Sequence, residues 1–149
     1  LESHRVEALD ELDRPLALHV RVSVPHLATR VGAKGLVLNV PFTPSLAGYA
    51  ALARRSTPLL FREGSAQSLE LTLELPAGAR VENLSPQLSP KFGDLEVEVK
   101  DALEGNTLTL SRRMRLEAGR VQPERYPDFR KFVRVAEDAL SGSIRIRKE

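Results

Sequence analysis

The sequence predicts a mainly all-β fold: an antiparallel β-sandwich, immunoglobulin-like in its layers, with one amphipathic helix near the C-terminus. Residues 69–75, 95–99 and 108–110 alternate apolar and polar side chains with the period of two that a half-buried strand requires. One later segment, 129–140, spaces its apolar residues with the period of a helix. We therefore expect two packed sheets to bury the alternating faces, with the helix covering an open edge or end.

The N-terminal part of the chain is predicted to start as a linker and to continue as strands. Residues 1–14 carry charges of both signs, which favours a linker or frayed segment ahead of a single β-sandwich domain over 15–149. Apolar side chains alternate with polar ones over 18–24 and again over 36–40, and a proline follows each run. Because the chain begins with Leu1 rather than Met, we expect it to be a fragment excised from something larger.

The middle of the chain is predicted to contain a crossover and the longest strands. Residues 45–55 favour a short helix or an irregular crossover, and 57–61 favour an edge strand with a proline near its start. The alternation over 68–75 is the strongest strand signal in the sequence. Residues 94–100 and 107–117 are expected to pair as a hairpin, because a glycine-containing turn separates them.

The C-terminal part predicts a helix and a last strand. Pro127 suits a first helical turn, where its missing N–H costs nothing, and Gly142 is the expected stop. We predict a helix at about 127–140 that packs as a lid on a sheet, which the last strand closes. Strands exposed at 57–62 or 144–148 could pair between copies, so a homodimer is one expected assembly. The apolar stripe of the helix consists of Phe129, Phe132, Val133, Ala136 and Leu140.

Composition narrows the function classes. The 149 residues include 22 Lys and Arg against 20 Asp and Glu, and charges of both signs are interspersed, so we expect no nucleic-acid partner. With zero Cys, this chain has no disulfide, no thiolate zinc site and no thiol nucleophile. No apolar run approaches the roughly 18 residues of a membrane span.

The sequence predicts no catalytic, cofactor-binding or metal-binding residues. The three histidines, His4, His19 and His26, lack the close spacing of a ligand pair and are expected to be ordinary surface residues. The carboxylate pairs Glu70/Glu74 and Glu96/Glu98 fall on the wet faces of strands, where they favour solubility over acid–base catalysis. Nucleophile-elbow and phosphate-binding glycine motifs are absent from the sequence.

Two residues leave alternatives open. Arg112 falls at an inward position of its strand, since Leu108, Leu110 and Met114 share its parity. A bulge could turn it outward, a buried acid could pair with it, or it could mark a site for an anionic ligand. Asn83 begins a weak glycosylation sequon that a proline follows directly.

The order of three short segments resembles a known family. The segments are Arg55-Ser56-Thr57-Pro58-Leu59, then Leu75-Pro76-Ala77-Gly78 with Val81 after it, and finally Tyr126-Pro127-Asp128-Phe129-Arg130-Lys131-Phe132. Over about 15–149 this series resembles the C-terminal β-sandwich of bacterial transglutaminase-like exported proteins. In that family an N-terminal β domain precedes a papain-like transglutaminase core with a Cys-His-Asp triad.

The resemblance implies a non-catalytic accessory or interaction module, not an enzyme, whose partner is the preceding catalytic domain of the same polypeptide. The triad would belong to that domain, and no position here matches it. The resemblance also implies a periplasmic or cell-envelope location. Docking would use an apolar patch, with Phe42, Tyr49 and Phe61 as candidates that fit a core equally well. The alternative is a carbohydrate- or cell-wall-binding β-sandwich, which would need exposed aromatic residues.

Overall fold

A computed structural model of the protein describes residues 2–7, 9–10, 13, 17–21, 27–42, 44–85 and 87–148. Within these ranges the chain forms strands, two short 3-10 helices at Ala47–Ala50 and Pro123–Arg125, and one α-helix, α1 (Tyr126–Leu140). The strands are β1 (Ser3–Glu7), β2 (Ala17–Arg21), β3 (Ala28–Val31), β4 (Gly35–Asn39), β5 (Leu59–Phe61), β6 (Ser65–Glu74), β7 (Ala79–Val81), β8 (Lys91–Phe92), β9 (Leu95–Glu104), β10 (Thr107–Leu116), β11 (Gly119–Val121) and β12 (Ser143–Lys148).

The described strands form two four-stranded sheets and two small two-stranded ones. The larger sheets have the strand orders β6-β10-β9-β8 and β3-β4-β12-β7, and the smaller ones pair β1 with β2 and β5 with β11. Every one of these pairs is antiparallel. The prediction of a mainly antiparallel β fold with one C-terminal helix is confirmed.

The β9–β10 hairpin is the centre of the first sheet. Thr107 lies opposite Glu104, so the turn needs only Gly105 and Asn106, and Gly105 adopts a φ of 59° that favours glycine. Alternate residues of both strands then point into the core, as the period-two pattern predicts. The buried apolar ones are Leu95, Val97, Val99, Leu108, Leu110, Met114 and Leu116.

Helix α1 packs an apolar face against this sheet, in contact with β8 and β9. Its bounds confirm the predicted helix at about 127–140, with Pro127 in the first turn. Phe129 lies at the centre of an aromatic cluster, with ring centroids 5.9 Å from Phe61 and 5.5 Å from Phe92. The helix is thus the lid that the sequence predicts, and its aromatic residues form much of the core under it.

The last strand differs from the prediction. β12 lies in the interior of the second four-stranded sheet, between β4 and β7, and does not close the sheet beneath α1. Because both sides of β12 are occupied, the predicted pairing of 144–148 between copies is wrong. The other predicted pairing edge, at 57–62, is β5, which is paired with β11.

Short strands account for most of the other differences between the predicted and the observed elements. β1 lies within 1–14, where we expected a linker or frayed segment, and pairs with β2 over five residues. β3, β8 and β11 were not predicted, because segments of two to four residues are too short to show a period. The predicted strand 18–24 matches β2 over 18–21, and its remainder lies outside the described residues.

Candidate functional site

The inward arginine forms a buried ion pair. Arg112 on β10 is fully buried, and its two terminal nitrogens bind both carboxylate oxygens of Asp101 on β9, with Nη2 3.0 Å from Oδ2. Leu110 lies opposite Asp101 in the hairpin, so the two partners are diagonal neighbours on the same inward face. Of the three alternatives that the sequence leaves open, pairing with a buried acid is confirmed.

This ion pair also positions the loop that follows β7. Asp101 Oδ2 accepts a hydrogen bond from the backbone N–H of Ser85 at 3.2 Å, and Arg112 Nη1 donates to the Ser111 carbonyl at 2.9 Å. Arg112 Nε is buried without a hydrogen-bond partner among the described residues. A Cβ on Gly142 would lie 3.1 Å from Ser85 Oγ, so the end of α1 passes close to the same loop. The pair therefore connects the hairpin to the loop beside the helix end.

A carboxylate of α1 holds the crossover that precedes β5. One oxygen of Glu137 accepts hydrogen bonds from the backbone N–H groups of Leu46 and Ala47, the latter at 2.9 Å, and from Ser45 Oγ at 3.3 Å. These N–H groups lie at the start of the Ala47–Ala50 3-10 helix, where they have no partner within the helix. Glu137 thus acts as a cap supplied by a distant segment.

The start of α1 holds the other end of the crossover. The Tyr126 hydroxyl lies 3.2 Å from the Tyr49 carbonyl and 3.1 Å from the Leu52 carbonyl, and it donates toward them. Arg130 Nη1 donates to the Ala53 carbonyl at 3.0 Å. Tyr126 itself is completely buried. Polar groups of the helix therefore fix the crossover from residue 45 to residue 53.

Asn83 serves as part of the second sheet. Its Nδ2 donates to the Ser143 carbonyl at 2.8 Å, and its Oδ1 accepts from the Arg145 N–H at 2.6 Å. The side-chain amide therefore continues the pairing of β12 beyond the end of β7, like an extra strand residue. Because a glycan would be attached to the same nitrogen, this arrangement disfavours the sequon as a modification site.

The predicted surface residues lie apart from one another. His4 and His19 fall on opposite faces of the β1–β2 hairpin, because His4 pairs with Val20 and Arg5 with His19. His26 lies outside the described residues. Over the ranges that the structure describes, no three His, Asp or Glu side chains are grouped as a metal ion would require.

The paired carboxylates occupy the wet face of the first sheet. Lys100 Nζ lies 2.6 Å from one oxygen of Glu98, and Arg113 Nη1 lies 4.0 Å from the other. The hydrogen bond from Lys100, aided by these positive charges, lowers the pKa of Glu98. A general acid needs a raised pKa, so the lowered pKa of Glu98 suits a surface ion pair and not acid catalysis.

A small cleft of about 220 Å³ lies beside the turn between β8 and β9. Phe92 and Val121 contribute apolar wall, and Asp94, Arg120 and Arg125 line it with charge. The guanidinium carbon of Arg125 lies 5.0 Å from the centre of the Phe92 ring, close enough for a cation–π contact. Because both signs of charge line the cleft, charge alone selects no class of ligand.

The predicted docking residues are mostly core. Phe42 and Phe61 are buried, and Tyr49 remains 40% exposed while its ring packs 4.9 Å from that of Phe61. Of the three residues predicted to form a docking patch, only Tyr49 is therefore exposed.

These contacts define a β-sandwich domain in which buried and half-buried polar side chains hold loops, strands and helix together. The chain belongs to the DUF3858 family, described as a "domain of unknown function" with a solved structure, whose model matches residues 34–145. No curated protein sequence matches the chain.

The fold also occurs in a solved bacterial structure. A crystal structure from Parabacteroides distasonis, described as a "putative protease", is similar with a TM-score of 0.60 and 15% sequence identity. The similar region covers 78% of this chain but 24% of that protein, so the chain spans about a quarter of its length. Within the described ranges, no helix combines the length and apolar character needed to span a bilayer.

Proposed function

We propose that this chain is a non-catalytic interaction module, joined in one polypeptide to a transglutaminase-like domain of papain-like fold. The observation that carries the proposal is the structural likeness to about a quarter of a larger protein described as a "putative protease". The three segments that resemble the transglutaminase-associated β-sandwich support it. They lie at the start of β5, at the β6–β7 turn and in the first half of α1.

A non-catalytic role is supported by what the well-placed polar groups do. Arg112 and Asp101 neutralise each other in the core, and Glu137 caps the crossover. Each of these groups already makes hydrogen bonds within the fold, so recruiting it for catalysis would break a structural contact. The proposed work of the module is to support or position its catalytic neighbour through protein–protein contact.

The carbohydrate-binding alternative finds little support in the placement of the aromatic residues. Sugar platforms use exposed rings, and the chain has five Phe, two Tyr and no Trp. Six of these seven pack against one another around Phe129, and Phe42 is buried elsewhere in the core. Of the seven rings, Tyr49 has the largest exposed fraction, 40%.

The proposal is tested by titrating the 149-residue chain against the transglutaminase-like domain encoded upstream in the same gene. We expect saturable binding by isothermal titration calorimetry and no hydrolase or transferase activity from the chain alone. Absence of an upstream domain of that fold, or absence of binding, would contradict the proposal. Binding of cell-wall glycans that a Tyr49→Ala variant loses would favour the alternative.

We also propose that the full protein resides in the periplasm or cell envelope, as the family resemblance implies. Fractionation of cells that express the full-length protein tests this directly. Recovery in the cytoplasmic fraction would contradict it.

A further inference from the structure

The longest unpaired strand edge in the described chain belongs to β6. This ten-residue strand is the outer member of its sheet, with β10 on one side only. The other outer strands of the two large sheets, β3, β7 and β8, have four, three and two residues. Natural sheets shorten, bend or cover such edges, because a long regular one pairs readily with another strand.

The register shows which backbone groups face outward. The Leu75 N–H donates to the Asn106 carbonyl at 2.8 Å, just beyond the first pair of the β6–β10 ladder. Because bonded and non-bonded pairs alternate in an antiparallel ladder, Leu73, Leu71 and Leu69 also bond toward β10. The N–H and C=O groups of Glu70, Thr72 and Glu74 therefore point to the open edge.

The side chains of β6 are incompletely covered on the same edge. Leu108 and Leu110 on β10 are fully buried, whereas Leu71 and Leu73 directly across the ladder are only partly buried. One flank of each β6 leucine packs on the core, and the other flank is open. A further strand with apolar residues at matching positions would cover them.

The exposed face of β6 indicates which charge the added strand should carry. Glu70 and Glu74 are exposed there, and β6 contains no Lys or Arg. A second copy of β6 would add two more carboxylates to the same ladder, which opposes pairing between copies. A strand with basic residues at these positions would place opposite charges beside the two glutamates.

We propose that the open edge of β6 binds an extended segment of a partner protein in which apolar and basic residues alternate, by strand addition to the sheet. This inference rests on the proposed function, for which it names the interaction surface. Main-chain hydrogen bonds to Glu70, Thr72 and Glu74 provide the affinity. The leucine face and the glutamate face provide the specificity.

The test uses a synthetic probe, acetyl-Val-Lys-Val-Thr-Val-Lys-Val-amide, whose two lysines are four positions apart like Glu70 and Glu74, with amide hydrogen exchange of the 149-residue chain as readout. We expect the probe to slow exchange at Glu70, Thr72 and Glu74 by about tenfold at ten times its Kd, since protection follows occupancy. A probe with glutamate in place of lysine should protect weakly. A probe whose lysine and central threonine amides are N-methylated should not protect at all, because in an antiparallel added strand those N–H groups face Glu70, Thr72 and Glu74.

Two variants sharpen the test. Thr72→Pro removes an outward N–H that β10 does not use, so the variant should fold yet lose the protection. Glu70→Lys should weaken binding of the basic probe, whereas Glu124→Lys, with the same charge change at a remote exposed position, should not. If Thr72→Pro does not fold, the two glutamate variants still decide the question.

Three results would overturn the inference. These are no protection of β6, protection at another surface only, or protection that grows with chain concentration in the absence of probe, which would identify a second copy as the occupant. Binding of the upstream domain without involvement of β6 refutes the edge site and leaves the proposed function standing. Probe binding at β6 without binding of the upstream domain supports the edge site and contradicts the proposed function.

Discussion

Replacing Arg112 with methionine isolates the energetic role of the buried ion pair. Arg112→Met keeps a long apolar side chain in the core but leaves the Asp101 carboxylate buried without its cation. Removing one partner of a buried pair costs about 3–5 kcal/mol, because the remaining charge has lost the cation that offset its desolvation. The hydrogen bond from the Ser85 N–H replaces only part of that loss. A domain of this size has a free energy of unfolding of about 5–15 kcal/mol, so the expected loss is a large and measurable share of the total.

The same strand supplies the control. Arg115 also lies on β10 but on its wet face, 2.6 Å from Glu117, with 63% of its side chain exposed. Arg115→Met should cost less than about 1 kcal/mol, since water screens an exposed pair. The two variants therefore make the same chemical change three residues apart, inside and outside the core.

Urea unfolding followed by far-ultraviolet circular dichroism gives both free energies. A double variant, Arg112→Met with Asp101→Leu, should be more stable than Arg112→Met alone by about 2 kcal/mol, because no buried charge remains. The free energy of unfolding of the double variant should stay below that of the wild type, since the Ser85 N–H also loses its acceptor. Equal losses for Arg112→Met and Arg115→Met would refute the reasoning.

The remaining predictions concern the crossover and the wet face. Glu137→Ala should lower the free energy of unfolding by about 1–3 kcal/mol and speed hydrogen exchange at Leu46 and Ala47, with Glu137→Gln falling between it and the wild type; equal exchange in all three would contradict the capping role. Tyr126→Phe should cost about 0.5–1.5 kcal/mol in the same urea assay, since only the hydroxyl contacts to the crossover are lost, and no change would contradict them. For Glu98, the lowered pKa means that its stabilising contribution is present above the unfolded-state pKa and lost as pH falls through the folded-state pKa. NMR titration should show this pKa moving up in Lys100→Met, and an unmoved value would exclude Lys100 as its cause.

The alternation of side chains made most of the first sheet predictable, and Arg112 along with it. Arg112 stands out in the sequence because Leu110 and Met114, two positions before and after it, are both apolar and mark its position as inward. Asp101 was missed, since the predicted strand stopped at residue 100 while β9 continues to Glu104. Extending the alternation by one residue, and pairing Glu104 with Thr107, would have placed Asp101 diagonal to Arg112.

The contacts of Glu137 and Asn83 had no comparable signal. Glu137 reaches a backbone N–H 91 positions away, and Asn83 pairs with a strand about 60 positions away. Such side chains look like ordinary surface residues in the sequence, because their partners are backbone groups that every residue possesses. The tertiary fold decides which N–H or C=O lies nearby, and no local period reports it.

The two large sheets leave their outward backbone groups in different situations, and the difference bears on the proposed strand addition at β6. In the second sheet, β12 is interior, and the Asn83 amide occupies its backbone groups where β7 is too short to reach. In the first sheet, β6 is regular over ten residues, with no proline or glycine to interrupt pairing. An edge left regular is an aggregation hazard unless something covers it, and the acidic wet face discourages copies of the chain from doing so. The Asn83 amide thus fills a gap within the second sheet, whereas the longer edge of β6 stays open for the partner strand proposed above.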